Sequence, residues 1–92
     1  LGVRAVDAST EDQTRLGRPG LVGAAVTEVV ENSPASEAGL EVGAVIVTLD
    51  DQRITGSRLL IDTVRAASPN AKHTIAYYDP SGSLVQTDVA LR

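Results

Sequence analysis

The chain has 92 residues, enough for one domain around one hydrophobic core, and a formal net charge of −4 at pH 7. This acidic balance, with only two tyrosines as aromatic residues, argues against nucleic-acid binding and against an anionic membrane surface. The chain has no cysteine, so it holds neither a disulfide nor a thiolate metal site. No apolar run approaches the roughly 20 residues that cross a bilayer. We therefore predict no direct membrane insertion, no metal and no cofactor.

The first third of the chain predicts two strands separated by a loop. Residues 1–6 form a short strand, whereas residues 7–20 are polar and rich in breakers and predict a loop. Residues 21–30 form a second strand, and its imperfect apolar alternation indicates a bulge. A very short helix follows, because Ser33 and Pro34 are favoured at its start and Gly39 at its end.

The remainder predicts alternating strands and one longer helix. Residues 44–50 form a strand, Asp50 and Asp51 begin a turn, and residues 53–54 pair briefly after it. A helix covers residues 57–67 and stops at residues 68–70. The last two strands, residues 71–78 and 84–91, are joined by a hairpin loop. This order predicts a small α+β domain, not a parallel βαβ fold.

The longer helix carries more apolar residues than one buried face needs. Leu60, Val64 and Ala67 are spaced i, i+4 and i+7 and face a core. Leu59 and Ile61 widen this apolar arc. The periodicity leaves two interpretations open: a wide core face, or a core face with Ile61 and Val64 lining a groove.

Several short motifs, in this order and spacing, resemble the PDZ domain of bacterial HtrA-type (DegP-like) serine proteases. They are Leu1-Gly2-Val3, Ser33-Pro34-Ala35, Ala38-Gly39-Leu40 and Gly43-Ala44-Val45-Ile46, with Ile54, Leu60 and Val64 after them. Ala44 stands where the family usually has Asp. The resemblance implies a small, partly open antiparallel β-barrel or sandwich of five to six strands, capped by two helices, in the bacterial permuted topology.

The resemblance also implies a function and a site. In this family, the C-terminus of an extended peptide pairs with a sheet edge while backbone amides bind its carboxylate. The carboxylate would be bound by Leu1, Gly2 and Val3. The groove would be lined by Arg4, Ala5, Val6, Ser57, Ile61, Val64 and Arg65. The spacing of Ser57, Ile61 and Val64 places them on one helix face. We predict a pocket for a last residue such as Leu, Ile, Val or Phe, and a mainly apolar choice two residues before it.

The same resemblance implies partners and a location. The expected ligands are C-terminal peptides of misfolded or envelope proteins, and the expected neighbour is an attached trypsin-like serine protease domain that the module regulates or supplies with substrate. We expect an extracytoplasmic location. The chain begins at Leu1 without a methionine, so targeting signals or a membrane anchor are expected upstream.

Two other classes of function compete with this interpretation. An enzyme is disfavoured, because the lone His73 is predicted to be a partly exposed strand residue and no Gly-x-Ser-x-Gly nucleophile motif is present. Asp50 and Asp51 are better explained by a turn than by catalysis. A structural or oligomerisation domain stays possible. So does a PDZ domain from a tail-specific protease, an intramembrane metalloprotease or a secretion-system component.

Overall fold

The computed structural model of the chain describes residues 2–67 and 72–90, without the side chain of Ala90. The elements, in chain order, are β1 (Val3–Asp7), α1 (Thr10–Leu16), β2 (Ala24–Val29), α2 (Pro34–Glu37), β3 (Val45–Leu49), β4 (Gln52–Arg53), α3 (Ser57–Ala66), β5 (Lys72–Tyr78) and β6 (Leu84–Ala90). All strand pairs are antiparallel, in the order β1-β2-β3-β5-β6, with β4 paired to β3. The predicted α+β fold is confirmed as an open sheet, with β1 at one edge.

The sheet buries apolar side chains on both of its faces. Successive residues of a strand point to opposite faces, so Ala24 and Val26 join a larger core while Ala25 joins a smaller one. The larger core includes Ala35, Leu40, Ile46, Leu49, Ile54, Leu60, Ile75, Tyr77 and Val89. The smaller one is made by Leu16, Ala25 and Val45. The longer helix α3 therefore covers one face and α1 the other.

The prediction of a loop over residues 7–20 was wrong in its middle. Ser9 and Asp12 form a reciprocal capping box: Ser9 N donates to Asp12 Oδ2 at 2.9 Å, and Asp12 N donates to Ser9 Oγ at 3.3 Å. The helix ends at Gly17, whose φ is 66°. Only Leu16 of this seven-residue helix is buried. One buried residue leaves no helical period in the sequence, so the described residues form three helices instead of the predicted two.

The short helix α2 and the bulge were predicted correctly. Ser33 Oγ accepts from Ser36 N at 3.2 Å, Pro34 begins the helix, and Gly39 follows it with a φ of 89°. The register of β1 on β2 shifts between Arg4 and Ala5, as a bulge requires. Where they are described, the observed strand ends lie within three residues of the predicted ones, and those at residues 78 and 84 coincide. The predicted helix stop at residues 68–70, and the predicted strand ends at residues 1, 71 and 91, lie outside the described residues.

His73 is buried, contrary to the prediction of partial exposure. The residue is 8% exposed, and its Nδ1 contacts Asp50 Oδ2. Thr74 N donates to the other carboxylate oxygen, Oδ1, at 2.9 Å. The hydrogen bond from His73, and then that from Thr74, lower the pKa of Asp50 below its usual range. Asp50 and Asp51 both have positive φ, at 50° and 67°, which confirms the predicted turn between β3 and β4.

Candidate functional site

The edge strand β1 and the helix α3 flank an open groove. One end of it is a cavity of about 170 Å³, lined by Gly2, Val3, Leu60, Ile61, Val64 and Arg65. A second cavity, of about 420 Å³, is lined by Val3, Arg4, Ala5, Val6, Thr27, Leu60 and Ile61. The two cavities share Val3, Leu60 and Ile61, so they form one continuous surface. Eight of the ten predicted site residues line one or both cavities. Seven of them lie on β1 or α3, and the eighth is Gly2, which precedes β1.

The backbone of β1 points alternately toward β2 and toward the groove. Gly2 O accepts from Val30 N at 2.8 Å, Arg4 O accepts from Thr27 Oγ1 at 3.2 Å, and Ala8 N donates to Gly23 O at 2.9 Å. Because direction alternates along a strand, the N–H and C=O groups of Val3 and Ala5 point away from β2. In the described part of the chain, β1 pairs with no strand other than β2.

The side chains of β1 divide in the same alternating way. Val3 and Ala5 are partly buried against the larger core, on the face covered by α3. Arg4 and Val6 are exposed, and Arg4 Nε lies 3.4 Å from Glu28 Oε2. We infer that Val3 and Ala5 shape the groove with side chains, whereas Arg4 and Val6 border its outer rim.

The open question about α3 is decided by the exposure of its apolar residues. Leu60 is 3% exposed and belongs to the core, yet it also forms the floor of the groove. Ile61 is 47% exposed and lines both cavities. Val64 has an exposure between those of Leu60 and Ile61 and is partly buried against the core. A wide core face does not account for the exposed Ile61, so the interpretation with a groove holds.

Ser57 lies at the opposite end of the groove from Gly2 and is bonded within the protein. Its N–H donates to Asp7 Oδ1 at 2.8 Å, and its hydroxyl donates to the same oxygen at 3.1 Å. Ser57 lines neither cavity. Sequence reasoning missed Asp7, because only the folded chain brings together two residues that are 50 positions apart.

Arg65 places a positive charge beside the smaller cavity. It is exposed, lies in the last turn of α3, and lines this cavity together with Gly2 and Val3. On the same helix, Arg58 Nε lies 3.5 Å from Asp62 Oδ1. Among the described residues, Arg65 forms no comparable ion pair, so its charge is available to a ligand.

Two of the three predicted carboxylate-binding residues, Gly2 and Val3, lie at the same end. Gly2 has a φ of 89°, a conformation that favours glycine. A side chain there would also overlap Ser33. The absent Cβ therefore serves internal packing. Leu1 lies outside the described residues, and its role stays a prediction.

The described residues include no group of three His, Cys, Asp or Glu side chains that could hold a metal ion. Over the same ranges, no helix has the length and apolar character needed to span a bilayer. The groove offers backbone pairing, apolar contact and the positive charge of Arg65, whereas the charge of Arg4 lies beside Glu28.

An open edge strand beside a partly exposed apolar helix defines a peptide-binding module of the PDZ type, and the PDZ domain family model matches residues 1–91. The chain belongs to the PDZ domain family. It is 34% identical over 70 residues to the serine protease PepD of Mycobacterium tuberculosis, covering 76% of this chain and 15% of that protein. It is 35% identical over 83 residues to the serine protease Do-like HtrA of Lactococcus lactis, covering 85% of this chain and 20% of that protein.

A solved structure agrees with these sequence relatives. The HtrA-type protease AlgW with decapeptide superimposes with a TM-score of 0.83 at 31% identity, covering all of this chain and 29% of that one. The resemblance to HtrA-type PDZ domains is thereby confirmed. The chain spans a fifth or less of the length of the two relatives.

Proposed function

We propose that this PDZ domain binds the C-termini of extended peptides by adding them as a strand to β1. The observation that carries the proposal is the edge of β1 that no other described strand pairs with, beside the half-exposed Ile61. An unpaired edge offers backbone donors and acceptors to any extended chain, while adjacent pockets select side chains.

The alternation of β1 sets the register of such a ligand. Val3 and Ala5 present their backbone groups to the groove, so the last ligand residue would pair with Val3 and the residue two before it with Ala5. Directly opposed residues in an antiparallel pair place their side chains on the same face. Both ligand side chains would therefore point toward α3, where the last one meets Ile61 and Val64.

The Gly2 end of the groove suits a terminal carboxylate. We assign its binding to the backbone amides of Leu1, Gly2 and Val3, with Arg65 as a nearby cation. A charge-assisted hydrogen bond is roughly twice as strong as a neutral one. This end would therefore favour a free C-terminus over an internal peptide segment.

The smaller cavity suits an aliphatic last residue. Its side-chain lining, apart from Arg65, is aliphatic, and its volume is about 170 Å³. Leu, Ile, Val or Phe would bury apolar area there. A few main-chain bonds and one filled pocket correspond to roughly −6 to −8 kcal/mol, that is, micromolar to tens of micromolar dissociation constants.

The relatives extend the proposal to the whole protein. Their names describe serine proteases, and one relative, from Pseudomonas fulva, is a probable periplasmic serine endoprotease that is DegP-like. AlgW was solved with a decapeptide. We propose that the domain recognises C-termini of misfolded or envelope proteins outside the cytoplasm, and regulates or supplies an attached serine protease domain.

The test compares free and amidated peptides. Peptides with random upstream residues and Leu, Val or Asp as the last residue are titrated into the chain by calorimetry. We expect amidation to weaken binding of the Leu and Val peptides roughly tenfold or more. The Asp peptide is the control for apolar selection and is expected to bind weakly. Equal affinity for free and amidated forms would refute carboxylate binding.

A further inference from the structure

The groove has two different ends. At the Gly2 end it is open and lined by Ile61 and Val64. At the other end, the carboxylate of Asp7 bridges β1 to α3 through its two hydrogen bonds with Ser57, at 2.8 Å and 3.1 Å. We infer that this bridge closes the groove and limits the paired segment of a ligand to its last four residues. The inference rests on the proposed function.

The position of the bridge follows from the alternation of β1. Val3, Ala5 and Asp7 occupy i, i+2 and i+4 of the strand and therefore share one face. Hydrogen bonds confirm that Asp7 reaches α3 on this face, and Val3 and Ala5 pack against the core that α3 covers. The face thus presents two small apolar side chains followed by a carboxylate.

The same alternation decides which ligand residue meets the bridge. If the last residue lies opposite Val3 and the third from the end opposite Ala5, the fifth from the end lies opposite Asp7. Two strand residues advance about 7 Å, so this fifth residue lies about 13 Å from the last one. Its side chain would point toward α3 and meet the bonded pair of Asp7 and Ser57.

The bridge is also well suited to stay in place. Ser57 is the first residue of α3, and its N–H is one of the amides that has no partner within a helix. The negative charge of Asp7 at this N-terminus is favoured by the helix dipole. Gly56 leaves the space that the carboxylate needs, because a Cβ at residue 56 would lie 2.7 Å from Asp7 Oδ1. These contacts make Asp7 a positioning residue that holds α3 at a fixed distance from β1.

The test is a series of peptides of three, four, five and seven residues, all ending in the same aliphatic residue with a free carboxylate. For the unmodified chain, we expect affinity to rise up to four residues and then to level off. For Asp7→Ala, we expect about threefold weaker binding of the four-residue peptide, because the hydrogen bonds that fix α3 are lost. In this variant, lengthening the peptide from four to seven residues is expected to raise the affinity about threefold.

Two further variants separate this role from general stability. Asp7→Asn keeps an acceptor oxygen, so its peptide affinity is expected to level off at four residues, as in the unmodified chain and unlike in Asp7→Ala. Ser57→Ala keeps the backbone bond to Asp7 and is expected to level off at four residues as well. Thermal unfolding checks that each variant is folded.

The outcomes distinguish the two proposals. A preference for free over amidated peptides, combined with the same length profile in the unmodified chain and Asp7→Ala, would overturn the role of Asp7 alone. Loss of that preference in the unmodified chain would instead overturn the proposed function. If Asp7→Ala does not fold, the unmodified chain still decides, because affinity that keeps rising beyond four residues contradicts a closed groove.

Discussion

Gly2 packs directly against the side chain of Ser33, the residue that precedes the first turn of α2. A Cβ at residue 2 would overlap both Cβ and Oγ of Ser33, and the φ of Gly2 is 89°. Gly2 is therefore seated on the start of α2 by the absence of a side chain. This contact places the proposed carboxylate-binding end of the groove relative to the rest of the domain.

Replacing Gly2 by alanine is expected to destabilise the fold. The left-handed backbone costs an L-residue about 1–2 kcal/mol, and the overlap with Ser33 adds about 1–3 kcal/mol. Urea denaturation measures the loss in the free energy of unfolding. Gly39→Ala is the matched control, since Gly39 has the same φ of 89° but no atom within 4 Å of a Cβ. Equal losses in the two variants would contradict the steric role of Ser33.

Shortening Ile61 is expected to weaken peptide binding while leaving stability nearly unchanged. Ile61 is 47% exposed in the free protein and would be covered by the last ligand side chain. Loss of its buried methylenes corresponds to a roughly three- to tenfold loss in affinity for Ile61→Ala. Leu84→Ala provides the control, because Leu84 is 59% exposed and lines neither groove cavity. An equal effect on peptide binding in both variants would place the ligand elsewhere.

Neutralising Arg65 is expected to reduce affinity for free-carboxylate peptides about two- to fivefold, because an exposed ion pair is worth under about 1 kcal/mol. Binding should also depend less on salt in Arg65→Gln. Arg58→Gln removes the same charge from the same helix, but Arg58 is paired with Asp62 and lines neither cavity. Titration at low and high salt compares the two variants. An unchanged salt dependence in Arg65→Gln would exclude this arginine from carboxylate binding.

The contact between Asp50 and His73 is expected to make stability fall in acid. The folded-state pKa of Asp50 is lowered by its hydrogen bond with His73 and then by that from Thr74. Its contribution to stability is thus present above the unfolded-state pKa of about 3.9 and is lost as pH falls through the lower folded value. The free energy of unfolding, measured from pH 7 to pH 2, should fall less steeply in Asp50→Asn than in the unmodified chain.

Asp51→Asn is the matched control for that experiment. It removes a carboxylate from the same turn, at a residue that also has positive φ, without changing the contact with His73. Its stability profile is expected to keep the acid slope of the unmodified chain. If the acid slope of the free energy of unfolding changes equally in both variants, the charge of the turn determines the pH dependence, and not the pairing of Asp50 with His73.

The sequence predicted those features that depend on near neighbours along the chain. Ser33, Pro34 and Gly39 determined α2 because cap and turn chemistry acts over a few residues. The apolar run of β3 was recognisable for the same reason. The small polar helix α1 escaped prediction, because its capping box lies in a segment with a single buried residue and no visible period.

Only the tertiary structure decided which faces meet. The spacing of α3 allowed Ile61 to be core or groove, and its exposure depends on how α3 lies beside β1. Likewise, the family resemblance and the helical spacing assigned Ser57 to the ligand-facing wall, and only the fold shows that its hydroxyl is bonded to Asp7. The physical reason is that pairing of residues 50 positions apart depends on chain topology, whereas periodicity and capping report only on the local chain.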